Sequence, residues 1–304
     1  MKYRILGNTG IELSEVGFGC ASYWGMRQFS QSEARKVFDA ALDSGITFFD
    51  TGHHYSGDHA EIRLGQFLKE TNCRSRIILS TKFGSENAGP AKVTKTFAPD
   101  EIKASVELSL KRLGTDYLDL LMMHSPRVQD FRDETIRCIE DMKKNGIARA
   151  IGVSEFGQPL LKPFDDCGIF DFAMVTFNMM DKTNDALIGQ LHQRGKGIIA
   201  GSSLGKSLFA GRPLQVHNLR DLWYLVRALK YHGRKVFSKK KYRFLEEVRD
   251  MTPHQIALRY VLNRPEISSA VFGTTNPLHV LENVQATDKE LPSEILAEIE
   301  AARV

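Results

Sequence analysis

Four side chains in the first half of the chain, Asp50, Tyr55, Lys82 and His124, form a set able to move a proton. Asp50 ends the apolar triplet Thr47-Phe48-Phe49, and Tyr55 follows in a polar loop. Lys82 ends the run Ile77–Thr81, and His124 the run Tyr117–Met123. A phenol in water ionises near ~10, so a tyrosine that gives or takes a proton near neutrality needs a cation at its side. Lys82 is that cation. A buried ammonium tends to shed its proton, and Asp50 beside it keeps it charged. His124 is left to orient a substrate carbonyl. Taken singly, Lys82 also reads as a surface lysine and His124 as a satisfied rim histidine. Their common placement at the ends of apolar runs is what makes them a set.

The elements that must position them repeat along the chain. A turn at Gly7-Asn8-Thr9-Gly10, flanked by Tyr3–Leu6 and Ile11–Ser14, predicts an N-terminal β-hairpin. Short apolar runs follow at Val16–Gly19, Thr47–Phe49, Ile77–Thr81, Tyr117–Met123, Ile147–Val153, Phe172–Phe177, Gly197–Ala200 and Ser268–Phe272. Between them lie helical signals. Ser30-x-x-Glu33 and Thr252-Pro253-His254-Gln255 are capping boxes, and Leu64, Phe67 and Leu68 are spaced as one helix stripe. Ile102, Val106, Leu110 and Leu113 form a second stripe, and Ile136, Ile139 and Met142 a third, closed by Asn145-Gly146. The first seven runs start about 25 to 40 residues apart, the length of a strand plus a crossover helix. Eight such units with no G-x-G-x-x-G in the first predict a closed (β/α)8 barrel, a TIM barrel of the α/β class, as a single domain over 1–304. The interval from Gly197 to Ser268 is long enough to hold an extended segment after strand 7. In such a barrel, chemistry belongs at the C-terminal strand ends.

Composition agrees with this class. At 26% charged and 42% hydrophobic residues, the chain reads as an ordinary globular protein with no low-complexity tract. A formal charge of +4 over 304 residues calls for neither nucleic acid nor an anionic membrane. Cys20, Cys73, Cys138 and Cys167 form no C-x-x-C pair and read as reduced thiols in a cytoplasmic protein. No signal sequence or long apolar span is read from the chain.

The chain resembles the aldo-keto reductases, and the resemblance covers nearly its whole length. It is carried by Tyr3-Arg4-Ile5-Leu6-Gly7-x-Thr9-Gly10, Gly17-x-Gly19, Phe49-Asp50-Thr51, Tyr55 with Glu61-x-x-Leu64-Gly65, and Thr81-Lys82. It continues through Arg112-Leu113-Gly114-Thr115-Asp116-Tyr117-Leu118-Asp119, His124, Gly152-Val153-Ser154, Pro265, Gly273-Thr274-x-Asn276-Pro277 and Glu282-Asn283. The resemblance implies one barrel that binds NADP(H), or else NAD(H), in extended form and reduces an aldehyde or ketone. The family's catalytic tetrad falls on Asp50, Tyr55, Lys82 and His124. By that carry-over Tyr55 protonates the carbonyl oxygen, Lys82 and Asp50 tune its acidity, and His124 places the substrate. The same family includes cofactor-sensing potassium-channel β subunits, so a regulatory module with slow turnover is the alternative reading.

The resemblance also assigns cofactor contacts. On the nicotinamide side these are Ser154, Glu155 where relatives carry asparagine, Asn178, and Gly201-Ser202 where relatives place an aromatic; Met174 replaces the family's glutamine. Leu204, Gly205 and Lys206 match the pyrophosphate segment. Gly273, Thr274, Thr275, His279, Glu282 and Asn283 match the adenosine end, with Gly273 and His279 in place of the Lys and Arg that grip a 2′-phosphate. NADP(H) ranks ahead of NAD(H) by family habit.

The expected pocket wall comprises Trp24, Phe29, His54, Phe83, Pro126 and Trp223, with His53 and His59 also lining the pocket rather than holding a metal. From Trp223 to Leu245 no acidic residue interrupts Arg227, Lys230, Arg234, Lys235, Lys239, Lys240, Lys241 and Arg243. This run reads first as a solvated helix and loop. If it faces the pocket, it favours a sugar or other anionic carbonyl substrate. A small carbonyl compound is the expected partner; nucleic acid and membrane are not.

Overall fold

The structure, a computed structural model, describes residues 1–87, 93–205, 222, 226 and 241–302. Lys206, Trp223 and all of the basic run except Lys241 and Arg243 lie outside them, as does most of the interval expected to hold the extended segment.

Strands β1 (Tyr3–Ile5) and β2 (Glu12–Ser14) form the antiparallel hairpin. Eight parallel strands follow the expected runs: β3 (Val16–Gly19), β4 (Phe48–Asp50), β5 (Ile78–Phe83), β8 (Leu118–His124), β9 (Ala148–Phe156), β10 (Phe172–Thr176), β11 (Gly197–Gly201) and β12 (Ser269–Phe272). They close into a barrel where β12 pairs with β3, Val271 opposite Gly17. A second hairpin, β6 (Ser85–Asn87) and β7 (Val93–Lys95), leaves the end of β5 and was not expected. The longer helices among the described residues are α1 (Gln31–Asp43), α2 (His59–Thr71), α3 (Pro99–Leu113), α4 (Asp133–Lys144), α5 (Leu161–Cys167), α6 (Asp185–Gln193), α7 (Pro253–Leu262), α8 (Pro277–Gln285) and α9 (Ser293–Ala301). Among the described residues no helix is long and apolar enough to cross a membrane.

Local chemistry sets the helix ends. Ser30 Oγ accepts the Glu33 N–H, and Thr252 and Gln255 make the reciprocal box at the start of α7. Gly114 takes a left-handed φ of 66° at the end of α3. Gly65 lets α2 rest on the end of α3, since a Cβ there would lie 2.0 Å from the Arg112 carbonyl oxygen.

Alternation along the strands divides two cores. Leu120 and Met122 point into the barrel with Phe48, Phe172, Met174 and Ile199, where Leu6, Ile11 and Leu13 of the first hairpin plug the floor. Leu121 and Met123 point outward into the layer between strands and helices. Partners in a parallel register share a face, so Asp50, opposite Ser80, and Lys82, opposite Met122, also face inward. His124, opposite Ser154, continues that face at the open end. Arg4 seals the floor, donating to Glu15 Oε1 at 2.7 Å and to the carbonyls of Leu262, Arg264 and Ile267.

Candidate active site

The four proton-moving side chains meet at the C-terminal mouth. The Lys82 ammonium donates to Asp50 Oδ1 at 2.6 Å, Asp50 Oδ2 at 2.7 Å and the Thr51 carbonyl at 2.7 Å. Ser80 Oγ donates to Asp50 Oδ1 at 2.6 Å, so the carboxylate is held from two strands. Burial would strip the ammonium of its proton; the Asp50 carboxylate, and after it the Tyr55 hydroxyl to which it is hydrogen-bonded, hold its pKa above the ordinary lysine value. The Tyr55 phenol is lifted above its usual range by burial, against the pull of Lys82. It therefore carries its proton, hydrogen-bonded to a fixed cation whose Nζ lies 4.9 Å from the ring centroid.

The His124 ring packs edge-on to Tyr55 at 5.5 Å and stacks on His54 at 5.6 Å. Burial first, then Lys95, Lys82 and His54, push its pKa down to about 2, so it is a neutral imidazole. The Nδ1 atoms of both His124 and His54 are buried without a partner. An uncharged donor–acceptor pair beside a protonated phenol suits a polarised carbonyl oxygen.

The loop that presents Tyr55 is built for position. The Tyr55 N–H donates to the Gly52 carbonyl at 3.0 Å, and the ring lies over Gly52, where a Cβ would come 3.0 Å from ring carbon Cζ. Buried Glu61 accepts from Thr81 Oγ1 at 2.7 Å and from Arg112 at 3.3 Å; Arg112 also donates to the His53 carbonyl at 2.8 Å. The same motif residues that carry the resemblance thus bolt this loop to α3 and β5. Among the described residues, the non-glycine residues with positive φ are Ser22, Ser56, Asp58, Asn72, Ser125, Glu155 and Ser202. All but Asn72 sit at or just after C-terminal strand ends.

Several expected pocket residues are elsewhere. Trp24 is sealed against Phe18 and Phe67, its indole N–H donated to the Ala34 carbonyl at 3.1 Å, and Arg63 binds the Trp24 carbonyl. Phe83 is equally buried, edge-on to Phe97, and Phe29 is buried beside Tyr23. None of the three offers a substrate any surface: an aromatic this large gains more by filling the layer behind the strands. His53 turns into α3, hydrogen-bonded to Ser109 Oγ at 3.1 Å, with burial lowering its pKa to about 4. His59 contacts the Gly25 carbonyl at 3.0 Å. His54 alone of the three faces the mouth, and Pro126 is buried just beyond His124.

On the nicotinamide side, Ser154 lies on the inner face beside His124 with its Oγ buried and unpartnered. Exposed Glu155, at φ 53°, faces Tyr55 and Lys95 electrostatically. Asn178 spends its side chain on the protein, donating to the Ser202 carbonyl at 3.2 Å and accepting the N–H groups of Met180 and Asp181. These bonds tie two loops together and leave one N–H of the amide for a further partner. Met174 fills the space over Gly201, within 3.4 Å of where a Cβ would stand, so the two departures from the family pattern compensate each other sterically. The Gly205 N–H donates to the Ser202 carbonyl at 2.9 Å, forming a tight turn in which Leu204 packs on the core.

At the adenosine end, Gly273 packs near the Gly19 carbonyl and Thr275 is buried. Thr274 Oγ1 accepts the Asn276 N–H at 3.1 Å and lies 3.4 Å from His279 Nδ1. Asn283 is buried with its Oδ1 unpartnered. Glu282 pairs with His254 at 3.1 Å, and the His254 and His279 rings are 5.9 Å apart. Sequence spacing shows His254 only as part of a capping box and carries no signal for Lys95. Both reach the site through tertiary contacts that leave no local pattern.

The aldo/keto reductase family model matches residues 15–304. The chain belongs to the aldo/keto reductase family. It is 28% identical over 292 residues to an uncharacterized oxidoreductase, YqkF, of Bacillus subtilis, covering 95% of this chain and 92% of the relative. It is 30% identical over 323 residues to the L-galactose dehydrogenase of Arabidopsis thaliana, covering 99% and 94%. Among solved structures it is similar to the holo form of aldo-keto reductase AKR11C1 from Bacillus halodurans, with a TM-score of 0.83 and 26% identity over 99% of this chain and 96% of that one. As a member of this family the chain is an oxidoreductase of the NAD(P)H-using kind.

Proposed function

We propose that this aldo/keto reductase reduces an aldehyde or ketone to the alcohol with Tyr55 as general acid. The observation that carries the reading is the Lys82 ammonium locked between Asp50 and the Thr51 carbonyl while bonded to the Tyr55 phenol. A nicotinamide nucleotide supplies the hydride when bound. His124 and His54 hold the carbonyl oxygen toward Tyr55 as neutral imidazoles. Tyr55 gives its proton to the oxygen as negative charge develops there, and Lys82 stabilises the phenolate left behind, kept cationic by Asp50. A slow sensing role would not need this chain of contacts complete; its completeness favours turnover.

The residues present fit the nucleotide. Ser154 Oγ and Asn283 Oδ1 are buried polar atoms without protein partners at opposite ends of the family's cofactor track, and such atoms are costly unless a ligand satisfies them. Ser154 and Glu155 would take the carboxamide with Gly201 and Ser202 beside it, Leu204 to Lys206 the pyrophosphate, and Gly273 to Thr275 with His279, Glu282 and Asn283 the adenosine. We rank NADP(H) ahead of NAD(H), with a cytoplasmic setting for one single-domain chain. Fluorescence titration with NADPH and NADH, followed by a panel of carbonyl compounds, tests the reading. Full activity in Tyr55→Phe would overturn the mechanism.

A further inference from the structure

The second hairpin carries Lys95 back over the catalytic mouth. Its ammonium donates to the His124 carbonyl oxygen at 2.6 Å and to Ser85 Oγ, which accounts for two of its three N–H bonds. Glu155 on β9 and Asp130 in the turn after β8 act on it through their charge, without a hydrogen bond to it. Asp130 turns its carboxylate to its own turn, accepting the Arg127 N–H at 2.7 Å. Lys95 is exposed at the surface, yet packing around its ammonium lowers its pKa to about 8, with no close carboxylate to compensate. Beside it lies a surface cavity of about 350 Å³, largely open to solvent, lined by Lys95, Thr96, Phe97, Gln129, Asp130 and Arg132 among others. That is room for a small polar group of a few heavy atoms. Burial, and after it the charge of Lys95, lowers the pKa of the His54 and His124 imidazoles, whose Nδ1 atoms lack partners.

We propose that Lys95 and this cavity form a subsite for an anionic tail on the carbonyl substrate, a carboxylate or phosphate a few bonds from the reacting carbon. The proposal rests on the reductase reading and names its substrate class. Lys95 bridges the two spaces: it touches the backbone of the residue that orients the carbonyl and lines the cavity that would take the tail. Charge therefore selects substrates at the hairpin after β5. Glu155 is the opposing charge, so its removal should strengthen the preference.

The test compares kcat/KM for 4-oxobutanoate against butanal, and for glyceraldehyde 3-phosphate against glyceraldehyde, in the wild type, Lys95→Met, Lys95→Arg and Glu155→Gln. The wild type should favour one anionic member of these pairs, and which pair shows the preference separates carboxylate from phosphate. Lys95→Met should lower that ratio about threefold, the size expected of a charge pair that solvent still reaches. Lys95→Arg should keep most of it, and Glu155→Gln should raise it. A ratio of one in the wild type, or the same ratio in Lys95→Met, overturns the subsite. Calorimetric titration of 4-hydroxybutanoate and butan-1-ol into the NADP+-loaded protein reads the subsite without turnover. Lys95-dependent binding of the anion in a protein that reduces no aldehyde would retain the subsite and remove the reductase reading. Equal binding of both ligands to wild type and Lys95→Met would remove the subsite alone.

Discussion

Two buried aspartates, one at each end of the barrel, use similar chemistry to opposite effect. Near the floor, Asp119 accepts from Arg149 at 2.6 Å on Oδ1, and from Arg74 at 2.9 Å and the Leu79 N–H at 2.9 Å on Oδ2. Arg74 in turn stacks on Tyr117 and bonds its carbonyl. Both carboxylate oxygens of Asp119 end on protein donors, and the network stops at the surface with Arg149. At the mouth, Asp50 holds Lys82 just as tightly, but Lys82 passes its remaining contact to a phenol, and the histidines beyond have unpartnered nitrogens. A closed network stabilises the fold; one left open at its last member can act on a substrate.

Substitutions can break that contrast, beginning with the largest effect. Tyr55→Phe should lower kcat by about 10²- to 10⁴-fold, read by steady-state kinetics, while the melting temperature stays close to wild type. Asp50→Asn leaves the Lys82 ammonium buried without its counter-charge, which should cost about 3–5 kcal/mol in denaturant unfolding as well as nearly all turnover. Asp119→Asn should cost less, about 1–3 kcal/mol, because Arg149 is half exposed and can turn to water. Its folded fraction should keep wild-type kcat. Loss of turnover in folded Asp119→Asn would show that the two ends are not separate. Gly52→Ala should press on the Tyr55 ring and lower kcat about threefold to tenfold, with little change in stability.

A pH series sharpens the comparison. His53 is held neutral, its pKa lowered to about 4 in the folded protein against about 6.5 unfolded. Between those values the unfolded chain binds the extra proton, so stability rises with pH across that window and is lost as pH falls from about 6.5 toward 4. Thermal melts of His53→Asn should show a shallower slope there than wild type. An unchanged slope would assign the acid sensitivity to other groups.

Much of this was legible because barrel strands buried on both faces appear as short apolar runs, and the first polar residue after each run marks the mouth. Asp50, Lys82 and His124 were found that way. Direction was harder to read. Trp24 and Phe83 carry the composition of a pocket wall, yet aromatic character reports how much area a side chain can bury and not which way it faces. His53 and His54 are neighbours in one turn, and their rings diverge, one into α3 and one over the site. Lys95 and His254 belong to segments whose local pattern describes only a connection or a helix start, and their partners are distant in sequence.

The positive φ values at the mouth bear on engineering. A non-glycine residue in that conformation holds about 1 kcal/mol or more of conformational energy that the surrounding structure must sustain. Ser22, Ser56, Asp58, Ser125, Glu155 and Ser202 confine it to the end of the barrel where substrate would enter. Glycine placed at those positions would relax the backbone and raise thermal tolerance at the expense of the geometry that aims Tyr55 and His124. A search for a hardier variant therefore does better at the floor and along the outer helices, leaving the mouth as tense as it is.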